Sequence, residues 1–523
     1  MPRRTLQRIM ESSLSSTMTQ TPATRRESFL SPQTFPPLTV ALLALGAGIC
    51  AYWFLAARGY WEDDAYIHLE FARSLATGRG FSFNGHLVYG DTSPLWVWLL
   101  AAFHVLIPDW IAAGKTLTAC AAVFALTGAF VYARSLVGNA LTAQAANLFA
   151  ATMVLVFVTL PYFGYWAFSG MEALSAAGLA CWGAAALATK PITPARLVLA
   201  ALAAGLAPLL RPEMAFFTVL LGLVLLQRWS KMPDRSLSVL AAAVLLACAP
   251  GIAWGMYAVR TFGSLLPNTN AAKRAAPGDS VLSRLLHTYA FGFPVVLLGL
   301  LFIVACLLWS VLRRSRISTP LWSSLPAGGW LLFVWTAVNC VFYIADHTFV
   351  QTRYLFVTAP VLTIAVLALL ANRWPKAYRG LLAFALIYGT WISVMATRPL
   401  VRNKVRIDVI YAELAAQLRA LPPDAPVATY SIGEAAFLSE HPLVDIGGIT
   451  RPGAIPYLWD AGDERRTAWI YTQGAQYEII DHAPLPGSTL LWSSEVPLTG
   501  WYFHPQMYDQ SERIQLWKLP PAR

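Results

Sequence analysis

Apolar runs constrain this chain more than any other feature. Eleven can be marked out, most of about 15–25 residues, separated by short charged or Pro/Gly-bearing segments. A run of that length crosses a bilayer core of roughly 30 Å at 1.5 Å per residue. Backbone polar groups in hydrocarbon must be satisfied within the protein, so such runs fold as helices. Only 12% of the 523 residues are charged and 57% are hydrophobic, which excludes a disordered, fibrous or ordinary soluble protein. The expected fold is a polytopic α-helical membrane protein. The net charge of +11 does not imply a nucleic-acid partner. Its Lys and Arg residues lie mostly beside the apolar runs, where insertion asymmetry explains them. All six cysteines lie inside apolar runs without metal-site spacing, so they read as small buried hydrophobes.

The positive-inside rule then gives a topology. Residues 1–36, rich in Ser, Thr and Arg, form a disordered cytoplasmic N-terminus. The run 37–57 is too long for a signal-peptide core and is an uncleaved first span. Cytoplasmic clusters are Arg134, Lys190 with Arg196, Arg228/Lys231/Arg235, Arg313/Arg314/Arg316 and Arg373/Lys376/Arg379. Between them fall spans at 112–133, 142–160, 169–188, 196–210, 214–227, 236–258, 286–311, 326–345, 354–371 and 379–397. Residues 196–227 start and end with cytoplasmic charge, so they cross twice and break at Leu210-Arg211-Pro212-Glu213. Each arm is about 21 Å of helix, so the break sits recessed in the membrane. Residues 94–107 are interfacial or half-spanning, since a full crossing would invert every later loop. A transmembrane domain 37–397 with a large outer loop 58–111 is therefore followed by a domain 398–523 on the opposite side from the N-terminus. That tail holds 14 of the 27 acidic residues and alternates short apolar runs with turn residues. It reads as a small soluble α/β domain, with strands at Val427–Tyr430, Leu443–Ile446 and Tyr477–Ile480.

Candidate chemistry collects on the outer face. Trp61-Glu62-Asp63-Asp64 places three adjacent carboxylates at a membrane edge, and Ile67, Phe71 and Leu75 then share one stripe. This predicts an amphipathic helix lying on the outer interface. Asp63 or Asp64 either caps its start or serves as a well-oriented base, and the two roles are compatible. Glu172 stands at the mouth of a span, where the helix dipole alone would favour it. Arg211 and Glu213 form either a structural ion pair or an anion or sugar contact in a cavity. The basic loop around Lys273 and Arg274 suits lipid headgroups or a phosphate. Asp346-His347 and Arg353-Tyr354 form a further outer cluster.

In order, these motifs resemble the GT-C superfamily of integral-membrane glycosyltransferases. The resemblance runs through Asp63-Asp64-Ala65-Tyr66-Ile67, Phe71-Ala72-Arg73, Gly78-Arg79-Gly80-Phe81 and Thr92-Ser93-Pro94-Leu95-Trp96. It continues through Ser169-Gly170-Met171-Glu172, Leu210-Arg211-Pro212-Glu213, Leu266-Pro267-Asn268-Thr269 and, in the tail, Ile432-Gly433 with Val444-Asp445-Ile446-Gly447-Gly448. Among its members the chain resembles bacterial polyprenyl-phosphate-sugar transferases similar to mycobacterial terminal arabinofuranosyltransferases. It is more distantly similar to protein O-mannosyltransferases and lipid A aminoarabinose transferases.

The resemblance implies a hexosyl- or pentosyltransferase in a bacterial inner membrane, with a periplasmic active site and C-terminal domain. Its donor is a polyprenyl-phosphate sugar, and its acceptor a glycan, lipid or protein hydroxyl of the envelope. Asp63 would be the general base, with Asp64 orienting it or binding the acceptor. Glu172, Arg211, Glu213, Asn268 and Tyr354 would bind substrate, and Lys273 and Arg353 would stabilise the departing phosphate. Glu62 adds a third carboxylate and with it room for a divalent metal, which this family does not generally require. The alternative is a transporter or flippase of a lipid-linked saccharide. A third reading is a non-catalytic scaffold whose tail binds a cell-wall partner.

Overall fold

A computed structural model describes residues 35–138, 140–188, 192–232, 235–274, 278–312, 321–458, 463–480, 486–494 and 513–521. Residues 1–34, Lys190 and the Arg313/Arg314/Arg316 cluster, on which part of the topology rests, lie outside the described residues. Among the described residues, eight helices are long and apolar enough to cross a membrane. Ala143–Thr159, Ala173–Ala188 and Pro194–Leu210 are shorter apolar helices at three further predicted spans. The protein is a multi-pass membrane protein.

One helix organises the bundle. Thr352–Arg373 is buried at every position from Arg353 to Leu370, so it contacts protein on all sides where a peripheral span would meet lipid. Beside it runs Ala173–Ala188, whose alanines and glycines are buried along nearly its whole length. Small side chains let helix backbones approach closely where no hydrophobic force separates protein from lipid. Arg353 and Tyr354, in the first turn of the helix Thr352–Arg373, are buried with the rest of it.

The double crossing at 196–227 is present. Pro194–Leu210 is followed by a 3₁₀ turn, Pro212–Met214, and by Ala215–Trp229. Pro94–Leu106 is 13 residues long, about 20 Å of helix, too short for a full span. Three expectations change. The predicted span 286–311 is two helices, Val281–Gly292 and Pro294–Leu312, because Pro294 has no N–H to continue the ladder. The span placed at 379–397 does not end there. Pro375–Ile392 runs through a wider π turn, Ser393–Thr397, into Arg398–Arg419, so the soluble part is tethered by continuous helix. The amphipathic helix exists as Asp63–Ala76, but it does not lie on a surface. Residues Ala65 to Ala72 are all buried.

What covers that helix is the C-terminal domain. Its sheet has the strand order Leu443–Asp445, Val427–Thr429, Tyr477–Ile480, Gln515–Lys518, Thr489–Ser493, the first three parallel and the last two antiparallel to their neighbours. The three predicted strands are among them. Ile432–Ser439 is the crossover between the first parallel pair, as such a pair requires, and it lies directly on Asp63–Ala76. A Cβ on Gly433 would stand 1.9 Å from the Asp63 carbonyl oxygen, so only glycine permits this approach.

Candidate active site

The segment that carries the carboxylates is pinned from below by a residue the sequence reading passed over. Lys115, 8% exposed on the helix Trp110–Val137, donates through Nζ to the carbonyls of Ala57 (2.8 Å), Tyr60 and Phe168 (2.9 Å). It thereby ties the end of the first span to the 161–172 turn. Trp61 packs into the same joint. A Cβ on Gly170, whose φ is +91°, would meet the Trp61 ring at 2.4 Å. The Glu62 N–H donates to the Ser169 carbonyl at 2.9 Å. Lys115→Met is expected to strand three buried carbonyls at about 1–3 kcal/mol each. A lowered melting temperature of the purified chain checks this, and an unchanged one contradicts it.

Three consecutive carboxylates then face three different environments. Glu62 accepts from the Tyr60 hydroxyl at 2.9 Å and the Tyr165 hydroxyl at 2.7 Å, with Lys404 at 3.5 Å. Asp63 accepts from the Glu434 backbone N–H at 2.9 Å. Asp64 pairs with Lys273 at 2.7 Å and Arg353 at 2.5 Å. Neither aspartate caps its own helix: the cap position is Glu62, without a side-chain cap bond. The burial of the helix end under Ile432–Ser439 turns Asp63 toward the tail domain instead. Among the described residues no group of three or more His, Cys, Asp or Glu is arranged to hold a metal ion.

Beyond Asp64 opens a cavity of about 340 Å³, a volume suited to a small ligand. Seven residues singled out in the sequence line it: Asp64, Glu172, Arg211, Glu213, Lys273, Arg353 and Tyr354. Two predicted residues do not line it. Asn268 starts a short helix and uses its backbone N–H on the Tyr89 carbonyl at 2.8 Å. The next residues, Thr269 and Asn270, face the space. Asp63 points one helical step away, to the domain junction.

A continuous chain of charge crosses the cavity floor. Asp91 meets His68 Nδ1 at 2.5 Å, and His68 Nε2 meets Glu172 at 3.2 Å. Arg211 bonds Glu172 through Nη1 and Glu213 through Nε, each at 2.6 Å. The Tyr343 hydroxyl reaches Glu213 at 3.4 Å. Arg211 and Arg353 both lie against the Tyr354 ring, at 5.0 and 5.3 Å from its centroid, which fixes both guanidinium planes. His68 and Asp91 directly flank the motifs at 63–67 and 92–96, but only the fold joins them.

The electrostatics separate the neighbouring groups. Burial opposes charge on His68, yet Asp91 and Glu172 push its pKa up to about 10, so it is an imidazolium at neutral pH. Burial raises Asp63 to about 6, aided by the Asp64 and Glu62 charges and opposed by the Glu434 N–H and Lys404. Burial would raise Asp64 too, but Arg353 and Lys273 hold its carboxyl well below the usual carboxylate range.

No protein-family profile matches the chain. It is 26% identical over 391 residues to a terminal β-(1→2)-arabinofuranosyltransferase of Corynebacterium glutamicum, covering 68% of this chain and 54% of that protein. A Mycobacterium tuberculosis protein of the same description is 30% identical over 300 residues, covering 50% and 45%. The chain thus spans about half the length of the curated relatives it matches. In fold it is similar to ArnT from Cupriavidus metallidurans, solved bound to undecaprenyl phosphate, with a TM-score of 0.57 at 16% identity over 92% of this chain and 98% of that one. The apo form of the same protein gives 0.56. The fold expected from the sequence, a polytopic helical bundle with a C-terminal α/β domain, is the fold shared with ArnT.

Proposed function

We propose that this chain is a membrane glycosyltransferase that moves a pentofuranosyl sugar from a polyprenyl-phosphate donor to a hydroxyl of an envelope glycan. The observation that carries the reading is the cavity beside Asp63-Asp64, in which Lys273 and Arg353 converge on one carboxylate oxygen. Two cations meeting at one point suit a phosphate oxygen. The sugar class follows the description of the sequence relatives. The membrane is the bacterial inner membrane, the N-terminus is cytoplasmic, and the cavity and tail domain face the periplasm.

In this reading the acceptor enters at the domain junction, where Asp63 points, and its hydroxyl attacks the anomeric carbon of a donor sugar held in the adjoining cavity. Asp63 takes the hydroxyl proton as the new C1–O bond forms. The bond from C1 to the phosphate oxygen breaks, and its electron pair leaves on polyprenyl phosphate, held by Lys273 and Arg353. Glu172, Arg211 and Glu213 keep the sugar-facing wall charged and rigid. A base must be deprotonated to act, and Asp63 titrates near 6. His68 and Asp64 keep their charges across neutrality. The transfer rate is therefore expected to rise with pH through about 6 and level off above it. A rate flat between pH 5 and 8 would contradict Asp63 as the base.

The direct test is covalent transfer from a labelled polyprenyl-phosphate pentofuranose to an arabinan oligosaccharide by the full chain purified in lipid. Movement of the intact donor across vesicles without transfer would favour the transporter, and neither activity would favour the scaffold.

A further inference from the structure

The two cations placed to receive a donor phosphate are already occupied by the protein. Lys273 Nζ and Arg353 Nη1 both reach Oδ2 of Asp64, at 2.7 and 2.5 Å. Arg353 is 3% exposed, and its Nε has no hydrogen-bond partner among the described residues. The guanidinium thus keeps a donor edge that Asp64 leaves unused. Asp64 is 22% exposed in its side chain and lines the cavity, so it can leave the cations without unpacking a core.

We infer that Asp64 is a built-in competitor for the donor's phosphate: it holds Lys273 and Arg353 in the empty site, yields them to the donor, and takes them back from the polyprenyl phosphate left after transfer. The inference rests on the reading of the site given above. The donor is a phosphodiester with one negative charge. When its C1–O bond breaks, the electron pair stays on the phosphate oxygen and the acceptor's proton goes to Asp63. The departing monoester carries about −1.5 to −2 at neutral pH. A pair of cations holds that anion more tightly than the diester it came from, so an unopposed site would retain its product. Asp64 is tethered beside the same cations and competes at high effective concentration. It stays ionised because Arg353 and Lys273 stabilise its charge.

Asp64→Asn removes the competing charge at constant size. In the full chain in lipid nanodiscs, this variant is expected to bind undecaprenyl phosphate at least about tenfold more tightly than the unmodified chain. With enzyme in excess its first turnover is expected to fall less than its later turnovers, which retained product suppresses. Lys273→Met is expected to weaken the same binding. Should the asparagine variant aggregate, Asp64→Ser provides the same comparison with a smaller neutral side chain. Equal or weaker binding by the neutral variants, or loss of the first turnover with the later ones, would overturn the competitor role. Absence of transfer by the unmodified chain would overturn the glycosyltransferase reading itself, and the competitor role with it.

Discussion

Asp63→Asn is expected to lower the transfer rate by about 10²–10⁴-fold, the range a positioned general base contributes, while the variant folds normally. The asparagine side-chain carbonyl can still accept the Glu434 N–H, so the contact with Ile432–Ser439 survives. What is lost is the basic carboxylate that the proposed mechanism needs for the acceptor's proton. The measurement is the single-turnover rate with labelled donor, where product release plays no part. A folded variant within twofold of the original rate would remove Asp63 from the chemistry and move attention to Asp64.

The second large effect is on folding. Arg211 is 6% exposed and joins Glu172 and Glu213, the first of these only 1% exposed. Arg211→Met leaves the buried Glu172 and the half-buried Glu213 unpaired on that side. Removing one partner of a buried ion pair costs about 3–5 kcal/mol, and here one cation serves two anions. The expected result is a sharp fall in monodisperse protein after solubilisation and a lowered melting temperature. Arg211→Lys should recover only part of the loss, because an ammonium cannot span two carboxylates as a planar fork does. A methionine variant as stable as the original would mean that His68 alone satisfies Glu172.

Much of the bundle is legible in the sequence because its signals are local. The charges of Arg211 and Glu213 interrupt an apolar run, and that alone places the buried break. The strands near 427, 443 and 477 announce themselves by alternating apolar runs and turns. The continuation of the last span through 397 is less visible, since Arg398-Pro399 looks like a stop and the helix passes it by widening one turn. Site residues fail where their meaning depends on distant partners. Asp63 and Asp64 are neighbours with the same chemistry, and only the family resemblance gives them different roles, without saying what would hold each. They part because Glu434, 371 residues away, claims one and Arg353 claims the other. His68 gives only an ambiguous single-residue signal until Asp91 and Glu172 are brought to its two nitrogens. Asn268 misses the cavity by a single position, the difference between a helix's first residue and its second.

The contact between Gly433 and the Asp63 carbonyl also sets the order in which the site is assembled. The first span and its carboxylates leave the ribosome early, but the residue that seats Asp63 lies 371 positions later. At about 5–20 residues per second, the carboxylate waits roughly 20–70 s for its partner. Until then the spans can insert while the base is unsupported. On the proposed reading, a nascent chain that has not yet made Gly433 and Glu434 lacks a seated base and is expected to transfer no sugar.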